Sequence, residues 1–210
     1  MLRLFYSPGA CSLAPHIALE EAGAGFEAVR TPIAEKAHRR PEYLAINPRG
    51  LIPAIHLNDG VVTENIAILS YIGHRWPEVA QLPLDDLPSL ARTYELLSFF
   101  VTTVHYGGFG PIFRARAAGI ERPEAEVAAD RERLRGLFAE IDALLAPGPW
   151  LLGERYGLAD PYPLTFLRWA RRLELDVDSH RHWTAHARLM LGRPSVKRAL
   201  AREGLDPAEF

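Results

Sequence analysis

The sequence changes its pattern once, near residue 80, and this change constrains the fold more than any other feature. Residues 1–77 show short alternating apolar runs separated by helical patterns, in the order β-α-β, a loop with a short helix, then β-β-α. Residues 78–88 are rich in proline and acidic residues, as linkers are. Residues 89–210 keep a helical spacing throughout. The sequence therefore predicts an α/β domain, a linker and an all-α domain over these three ranges.

Local patterns predict the individual elements. Residues 2–6 alternate like a strand, and residues 26–30 form a second strand after a glycine-rich helix stop. The runs 52–57 and 61–62, joined by Asn58-Asp59-Gly60, predict a β-hairpin. In the second half, helices are predicted from a cap at about Ser89 through residue 104, and over 123–145, 158–172, 181–191 and 194–203.

Composition restricts the class of protein and its partners. Of the 210 residues, 48% are hydrophobic and 24% are charged, as in an ordinary globular protein. A formal net charge of −2 argues against nucleic-acid or membrane binding by bulk electrostatics. We expect neither a secretory leader nor a segment with the ~18 apolar residues that a membrane span needs. A single cysteine excludes an internal disulfide, and we expect a cytoplasmic protein.

Cys11, the only cysteine, lies between the first predicted strand and the first predicted helix. Pro8 and Gly9 break the strand pattern, and the helical pattern begins at Leu13. The positive end of a helix dipole favours a thiolate, which predicts a reactive thiol with a pKa below the usual ~8.5. The alternative is that Cys11 is a small buried apolar residue, as most lone cysteines are.

Several motifs together carry a resemblance to a known family. They are Tyr6-Ser7-Pro8-Gly9-Ala10-Cys11-Ser12-Leu13-Ala14, Asn47-Pro48-Arg49-Gly50-Leu51-Ile52-Pro53-Ala54, Thr63-Glu64-Asn65, His105, Tyr156-Gly157-Leu158-Ala159-Asp160 and Leu167-Arg168-Trp169-Ala170. By their order and spacing the chain resembles a cytosolic glutathione S-transferase, most of all the bacterial beta class. The resemblance implies a thioredoxin-like N-terminal domain (βαβ-ββα) followed by an all-α C-terminal helical domain, in a homodimer. It also implies a role in detoxification, with glutathione as co-substrate, a small electrophilic second substrate and no metal.

The resemblance implies that six residues bind glutathione. They are Lys36, Ile52, Pro53, Glu64, Asn65 and Ser98. The main chain of Ile52, beside a cis Pro53, would pair with the cysteinyl backbone of glutathione like an added strand. The helix start at Asn65 suits the γ-glutamyl carboxylate, and Glu64 would face the ammonium group. Glu64 could instead be a first-turn acid that complements the helix dipole. The family usually has Glu-Ser where this chain has Glu64-Asn65.

The resemblance also implies residues for the chemistry and for the second substrate. Cys11 and His105 match two catalytic residues at the sulfur of glutathione, where an imidazole N–H can donate to a sulfur anion. The hydroxyls of Tyr6, Ser7 and Ser12 are alternatives, although the two serines also fit turn and helix-cap roles. The electrophile pocket would lie between the domains, with four aromatic walls: Tyr106, Phe109, Phe113 and Trp169.

Three functions are compatible with these patterns. The first is a glutathione S-transferase that joins glutathione thiolate to electrophilic, mostly apolar small molecules, with thiol–disulfide exchange through Cys11 as an added activity. The second is a glutathione-dependent isomerase, dehalogenase or reductase, since the fold does not select among these reactions. The third is a non-catalytic dimeric binding or regulatory protein, which the Glu64-Asn65 departure keeps open.

Several residues outside this set are interpreted as structural. His180, His182 and His186 share helical spacing without a nearby cysteine, which favours a solvated face over a metal site. Asp160 is interpreted as a helix-capping residue. Arg168 is expected either at the domain interface or in the second-substrate pocket.

Overall fold

A four-stranded mixed sheet forms the centre of the first domain in the computed structural model, which describes residues 1–80 and 82–210. Its strands are β1 (Leu2–Tyr6), β2 (Phe26–Arg30), β3 (Ala54–Leu57) and β4 (Gly60–Thr63). Their order is β2-β1-β3-β4, with β1 parallel to β2 and the other two pairs antiparallel. The predicted order of strands and helices is confirmed, although β3 begins two residues later than expected.

Four helices accompany the sheet. They are α1 (Leu13–Glu21), α2 (Pro41–Leu44) after a 3₁₀ turn at Ala37–Arg39, α3 (Asn65–Arg75) and α4 (Pro77–Ala80). The last of these occupies part of the segment that the sequence predicted as linker. Helix α1 packs against α3 on one side and against the second domain on the other.

The second domain is helical, as predicted. It contains α5 (Leu87–Ser98), a π-helical segment (Phe99–Phe109), α6 (Gly110–Ala118), α7 (Glu124–Leu144), α8 (Pro161–Arg172), α9 (Arg181–Gly192), α10 (Pro194–Glu203) and a 3₁₀ turn at Pro207–Glu209. Asp86 rather than Ser89 caps α5. Its carboxylate accepts hydrogen bonds from the Ser89 N–H at 3.3 Å and the Ser89 hydroxyl at 2.6 Å.

The first three segments of this domain run on as one helix of 32 residues, Leu87–Ala118. By length and composition alone it could cross a membrane, which the sequence analysis did not anticipate because polar residues interrupt the apolar pattern. One face of the helix lies in the protein core, where Phe100, Val104 and Phe109 are buried. Phe109 packs against Phe138 of α7 and Phe166 of α8, which is the environment of a core helix.

One hydrophobic core extends across both domains. It joins Ile17 of α1 and Leu69 of α3 to Phe100 and Phe166 of the helical domain. A smaller cluster around Tyr43 covers the opposite face of the sheet. Because the domains share a core, residues from both can build a single site.

Candidate active site

The turn between β1 and α1 is held in shape by its own serines. The Ser12 hydroxyl accepts from the Ser7 N–H at 3.1 Å and donates to the Ser7 carbonyl oxygen at 3.2 Å, while Ser7 Oγ accepts from the Ile33 N–H at 3.1 Å. Gly9 has φ +66°, and a Cβ there would lie 2.0 Å from Nη1 of Arg168, so the position requires glycine. Both serine hydroxyls therefore serve the turn.

Cys11 lies in this turn, two residues before α1, with 8% of its surface exposed. Its thiol donates to the carbonyl oxygen of Ile52, with an S···O distance of 3.6 Å. Burial raises the pKa of the Cys11 thiol to about 12, and the smaller opposing effect of the Asn65 side chain does not offset it. The prediction of a pKa below the ordinary value is therefore wrong, because desolvation outweighs the nearby helix start. Cys11 carries its proton at neutral pH.

The segment before β3 presents its backbone to Cys11. The Leu51 carbonyl oxygen accepts from the Tyr43 hydroxyl at 2.5 Å and from Nδ2 of Asn47 at 2.8 Å. The Ile52–Pro53 peptide bond is cis, as the resemblance implied. These contacts fix the chain so that the Ile52 carbonyl faces the Cys11 sulfur.

The start of α3 supplies the third segment. Glu64 has φ +69° and ψ 127°, a conformation that costs a non-glycine residue on the order of 1–3 kcal/mol and is found mostly at functional sites. Its side chain is exposed, and its carboxylate lies 3.9 Å from the Arg49 guanidinium. Asn65, by contrast, is only 6% exposed, and its Nδ2 donates to the Cys11 carbonyl oxygen at 3.1 Å. The turn after β1, residues 51–53 and the start of α3 thus converge, and we call them the three-segment site.

The other two residues assigned to glutathione lie on the surface. Lys36 is exposed in the left-handed conformation, at φ 53°, before the 3₁₀ turn. Ser98 is exposed at the end of α5, where its carbonyl oxygen accepts from the Thr102 hydroxyl. Within residues 1–80 and 82–210, no hydrogen bond or ion pair joins either side chain to the three-segment site.

Trp169 lies between His105 and the turn and contacts both. His105 lies in the π-helical segment with its ring 4.8 Å from the ring of Trp169, centroid to centroid. Trp169 Nε1 in turn donates to the Gly9 carbonyl oxygen at 2.8 Å. Burial and the positive charge of Arg114 lower the pKa of His105 to about 4, so the imidazole is neutral at neutral pH. A neutral imidazole can still donate one N–H to a sulfur anion.

Of the four predicted pocket residues, Tyr106 and Phe113 present surface, whereas Phe109 and Trp169 are buried. Tyr106 is 68% exposed and lies against the Arg114 guanidinium, 4.7 Å from ring centroid to Cζ. Phe113 is half-buried, and Trp169 is 7% exposed. Phe109 is fully buried and stacks on Phe113, so its assignment to the pocket wall is corrected: it is a core residue. It faces inward because it fills the space between α7 and α8.

Residues of α10 clamp the turn and were missed by the sequence analysis. Glu203 accepts from the Gly9 N–H at 2.7 Å and lies 2.8 Å from Nδ1 of the buried His16. The Tyr6 hydroxyl donates to the Arg202 carbonyl oxygen at 3.1 Å and is therefore also part of this interface. The sequence did contain a sign of this contact. Glu203 follows Val196, Ala199 and Leu200 on the buried face of α10, and a charged residue on a buried face needs a buried partner.

Arg168 belongs to the same interface. Its guanidinium donates to Glu209 at 2.7 Å and to the Gly9 carbonyl oxygen at 3.4 Å, and the side chain is buried. Arg168 was expected either at the domain interface or in the second-substrate pocket, and the structure places it at the domain interface.

The histidine face of α9 is only partly solvated. His186 is 2% exposed, and its Nε2 lies 2.9 Å from Oδ1 of Asp160, so its interpretation as a solvated residue is wrong. Asp160 also accepts from the N–H groups of Leu151 and Gly157, at 3.0 and 2.6 Å, as a cap that reaches back to the backbone. In the part of the chain that the structure describes, no group of three His, Cys, Asp or Glu is placed to hold a metal ion.

Two cavities lie away from the three-segment site. One of about 200 Å³ is lined by Ile112, Val127 and Leu173 between α6 and α7. A more open one of about 940 Å³ lies beside the linker, next to Trp150 and Tyr156. Neither contains Cys11 or His105, so we place the chemistry by the converging polar groups and not by cavity size.

The sheet order, the cis proline and the helical second domain define the class of this protein: a thioredoxin-like domain joined to an all-α domain. The family model described as "Glutathione S-transferase, N-terminal domain" matches residues 1–74, and "Glutathione S-transferase, C-terminal domain" matches residues 88–194. The chain belongs to the glutathione S-transferase family.

Individual relatives agree over the full length. The chain is 36% identical to glutathione S-transferase GstA of Escherichia coli O157:H7, covering 97% of this chain and 100% of that protein. A sphingomonad glutathione S-transferase solved in complex with glutathione is 35% identical, with a TM-score of 0.85 and coverage of 97% and 100%. The bacterial beta class enzyme of Sphingomonas chungbukensis is 34% identical, with a TM-score of 0.86 and the same coverage. The resemblance given by the sequence motifs is confirmed.

Proposed function

We propose that the protein is a glutathione S-transferase that joins the thiolate of glutathione to electrophilic, mostly apolar small molecules. One observation carries this proposal. Three segments far apart in sequence meet at one cysteine: Cys11 Sγ lies 3.6 Å from the Ile52 carbonyl oxygen, and Asn65 Nδ2 lies 3.1 Å from the Cys11 carbonyl oxygen. The sphingomonad relative with this fold binds glutathione, which supports the same ligand here.

The tripeptide would lie across the three-segment site. The backbone of Ile52 pairs with its cysteinyl backbone, and N–H groups in the first turn of α3 receive its γ-glutamyl carboxylate. Glu64, with an exposed carboxylate, faces the ammonium group. Lys36 and Ser98 act at the edges of the ligand, Lys36 at the glycyl carboxylate.

The chemical step needs a glutathione thiolate near an apolar electrophile. The neutral imidazole of His105 donates an N–H to the thiolate and so lowers the free energy of the charged form. Tyr106 and Phe113 offer aromatic surface for the second substrate, Trp169 lies buried behind Phe113 with their ring centroids 5.0 Å apart, and proximity supplies much of the rate.

The environment of Cys11 favours conjugation over thiol–disulfide exchange. Exchange begins with a cysteine thiolate that attacks a disulfide, and burial holds the pKa of Cys11 at about 12. We therefore assign Cys11 to the wall of the sulfur site. Its S–H and backbone shape the place that the glutathione sulfur occupies.

The assembly and setting follow from the resemblance to the family. We propose a homodimer that acts in the cytoplasm in detoxification. Residues 1–77 bind glutathione, residues 78–88 connect, and residues 89–210 contribute the electrophile pocket.

Titration calorimetry with glutathione, followed by a panel of model electrophiles and disulfides, tests this proposal. We expect heat of binding at millimolar glutathione and conjugation of chloronitrobenzene-type electrophiles. Glu64→Gln should weaken binding about tenfold, because it removes the charge facing the ammonium group; Glu78→Gln, in α4, is the matched control.

The alternatives predict different outcomes. Absence of heat at millimolar glutathione would favour a non-catalytic scaffold. Binding without conjugation of any electrophile in the panel would favour a glutathione-dependent isomerase, dehalogenase or reductase.

A further inference from the structure

The smaller of the two cavities combines an apolar interior with positively charged walls. It has a volume of about 200 Å³ and lies between α6, the first turns of α7 and the residues that follow α8, and we call it the α6–α7 cavity. Among the residues that the structure describes, no aspartate or glutamate lines it. Three arginines do: Arg116, Arg122 and Arg131. The other lining residues are apolar: Ile112, Ala115, Ile120, Val127, Leu173 and Leu175.

The ends of two helices build the cavity. Gly119, directly after α6, has φ +64°, and the Ile120 N–H donates to the Ala115 carbonyl oxygen at 2.9 Å. Glu174, after α8, has φ +55°, and the Leu175 N–H donates back to a carbonyl of α8 at 3.0 Å. In this type of helix ending, the residue after the left-handed one folds back over the last helical turn. Ile120 and Leu175 are thereby held against the cavity.

Two large apolar side chains at the mouth of the cavity remain in contact with water. Ile120 is 62% exposed and Val127 is 38% exposed. Because removal of apolar surface from water is favourable, an apolar group placed between them would be stabilised. An apolar cavity of roughly 150 Å³ holds a benzene molecule. The α6–α7 cavity is somewhat larger and is therefore large enough for one aromatic ring with a small substituent.

The three arginines differ in whether their charges are paired. Arg122 forms an ion pair with the buried carboxylate of Asp130. Arg131 Nη2 donates to the Leu173 carbonyl oxygen at 3.4 Å, which holds this guanidinium at the edge of the cavity. Within residues 1–80 and 82–210, neither Arg131 nor Arg116 has a carboxylate within ion-pair distance. The cavity thus presents two unpaired positive charges beside an apolar floor.

We propose that the α6–α7 cavity binds a small aromatic monocarboxylate, with its ring among the apolar side chains and its carboxylate on Arg116 and Arg131. A guanidinium has five N–H donors, of which the Leu173 carbonyl takes one from Arg131, and parallel N–H groups suit a carboxylate. A purely apolar ligand would leave both charges unpaired, and an inorganic anion would leave the apolar floor in water. Neither Cys11 nor His105 lines the cavity, so this binding does not depend on the proposed function.

A ligand-detected NMR titration with para-toluate, and with the neutral para-toluamide of nearly the same shape, tests the proposal. We expect the carboxylate to bind about tenfold more tightly than the amide, because only the carboxylate pairs with the guanidinium groups. Equal affinities would show that the two charges take no part. Absence of binding at millimolar para-toluate would show that the cavity is not a site for this class of ligand. Either result would overturn the proposal.

Arg131→Gln removes one of the two charges and keeps the apolar lining. We expect the affinity for para-toluate to fall about fivefold, while the affinity for para-toluamide stays the same. Arg135→Gln is the matched control, since Arg135 lies one turn further along α7, pairs with Glu132 and does not line the cavity. Equal losses in the two variants would indicate a general effect of positive charge and would overturn the assignment of the carboxylate to Arg131.

Ala115→Phe tests the location of the ligand. The new ring would fill the cavity from α6 and leave all three arginines in place, so we expect it to abolish binding of both probes. Unchanged binding of para-toluate would place the ligand elsewhere, for example on the aromatic surface of Tyr106 and Phe113, and would overturn the proposal. Because Arg131 is exposed, Arg131→Gln does not endanger the fold, and it decides the matter if Ala115→Phe does not fold.

Discussion

His105 shows how one residue's environment decides its chemical role. Its ring packs on Trp169, and burial together with Arg114 lowers its pKa to about 4. An imidazolium is therefore not present near neutral pH, and what the residue can offer is a single neutral N–H donor. Such a donor stabilises a sulfur anion that forms on the bound substrate more than it stabilises the ground state.

We expect His105→Ala to slow conjugation more than it weakens glutathione binding. Loss of one donor to a charged group corresponds to about 1.5–3 kcal/mol, or roughly ten- to a hundredfold in rate. Steady-state kinetics and calorimetry on the same preparation measure the two losses. Equal losses would make His105 a packing or ligand-binding residue. His182→Ala, in α9, is the control.

The pH dependence offers a second measure of the same residue. Since the pKa of His105 is lowered to about 4, His105 should not titrate near pH 6.5. We therefore expect the pH profile of the conjugation rate around pH 6.5 to have the same shape in the parent protein and in His105→Ala. A transition at that pH, removed by the substitution, would contradict a neutral imidazole.

Local motifs predicted some site residues but not their partners. Cys11, Ile52 and Glu64 were singled out by the motifs that carry the family resemblance, and the structure brings their segments together, while their roles toward a ligand stay predictions. The protonated state of Cys11 was not predictable, because it depends on burial by elements distant in sequence. Glu203, which meets Gly9 across nearly the whole chain, was likewise invisible to patterns a few residues long.

Helix α8 shows how far one capping residue reaches at the scale of an element. Asp160 accepts from two backbone N–H groups, at 3.0 and 2.6 Å, and pairs with His186 of α9 at 2.9 Å. It thereby joins the loop after α7, the start of α8 and the middle of α9. By contrast, Asp86 caps α5 at the surface, where its carboxylate accepts from the N–H and the hydroxyl of Ser89.

These two caps make a matched pair for mutation. We expect Asp160→Ala to lower the free energy of unfolding by about 3 kcal/mol or more, because three buried partners lose their acceptor. Asp86→Ala should cost about 1 kcal/mol, the usual value for an exposed cap. Urea denaturation followed by circular dichroism measures both. Similar losses in the two variants would contradict the role given to Asp160.

Element boundaries were predictable where the apolar period is clean and sharp turns flank it. Strand β2 lies at Phe26–Arg30, as the pattern indicated. The start of α5 was misplaced because both Asp86 and Ser89 are good capping residues, and only their mutual hydrogen bonds decide between them. Nothing in the local pattern indicates that Phe99–Phe109 is π-helical.

The whole molecule behaves as one packed body, although its chain is divided into two patterns. Helix α1 carries Glu20 and Glu21, which pair with Arg198 and Arg193 of the helical domain. The core passes from Ile17 into that domain without interruption. We therefore do not expect the two domains to unfold separately, although the sequence pattern changes between them.

We accordingly expect a single cooperative transition in urea. Tryptophan fluorescence, which comes mostly from the helical domain because three of the four tryptophans (Trp150, Trp169 and Trp183) lie there, should have the same midpoint as circular dichroism of the whole chain. Two separated midpoints would show that the domains unfold independently. Glu203→Gln, which weakens the contact with Gly9 and His16, should lower the shared midpoint without splitting it.

The contact between Glu203 and the Gly9 turn has a consequence for biosynthesis. The ribosome makes the thioredoxin-like half first. At that stage the N–H of Gly9 and the imidazole of His16 in α1 lack their partner Glu203, because α10 has not yet been translated. The completed amino-terminal half thus lacks this contact until α10, which ends at Glu203, has also been made. The sulfur site acquires its final shape only as α10 leaves the exit tunnel.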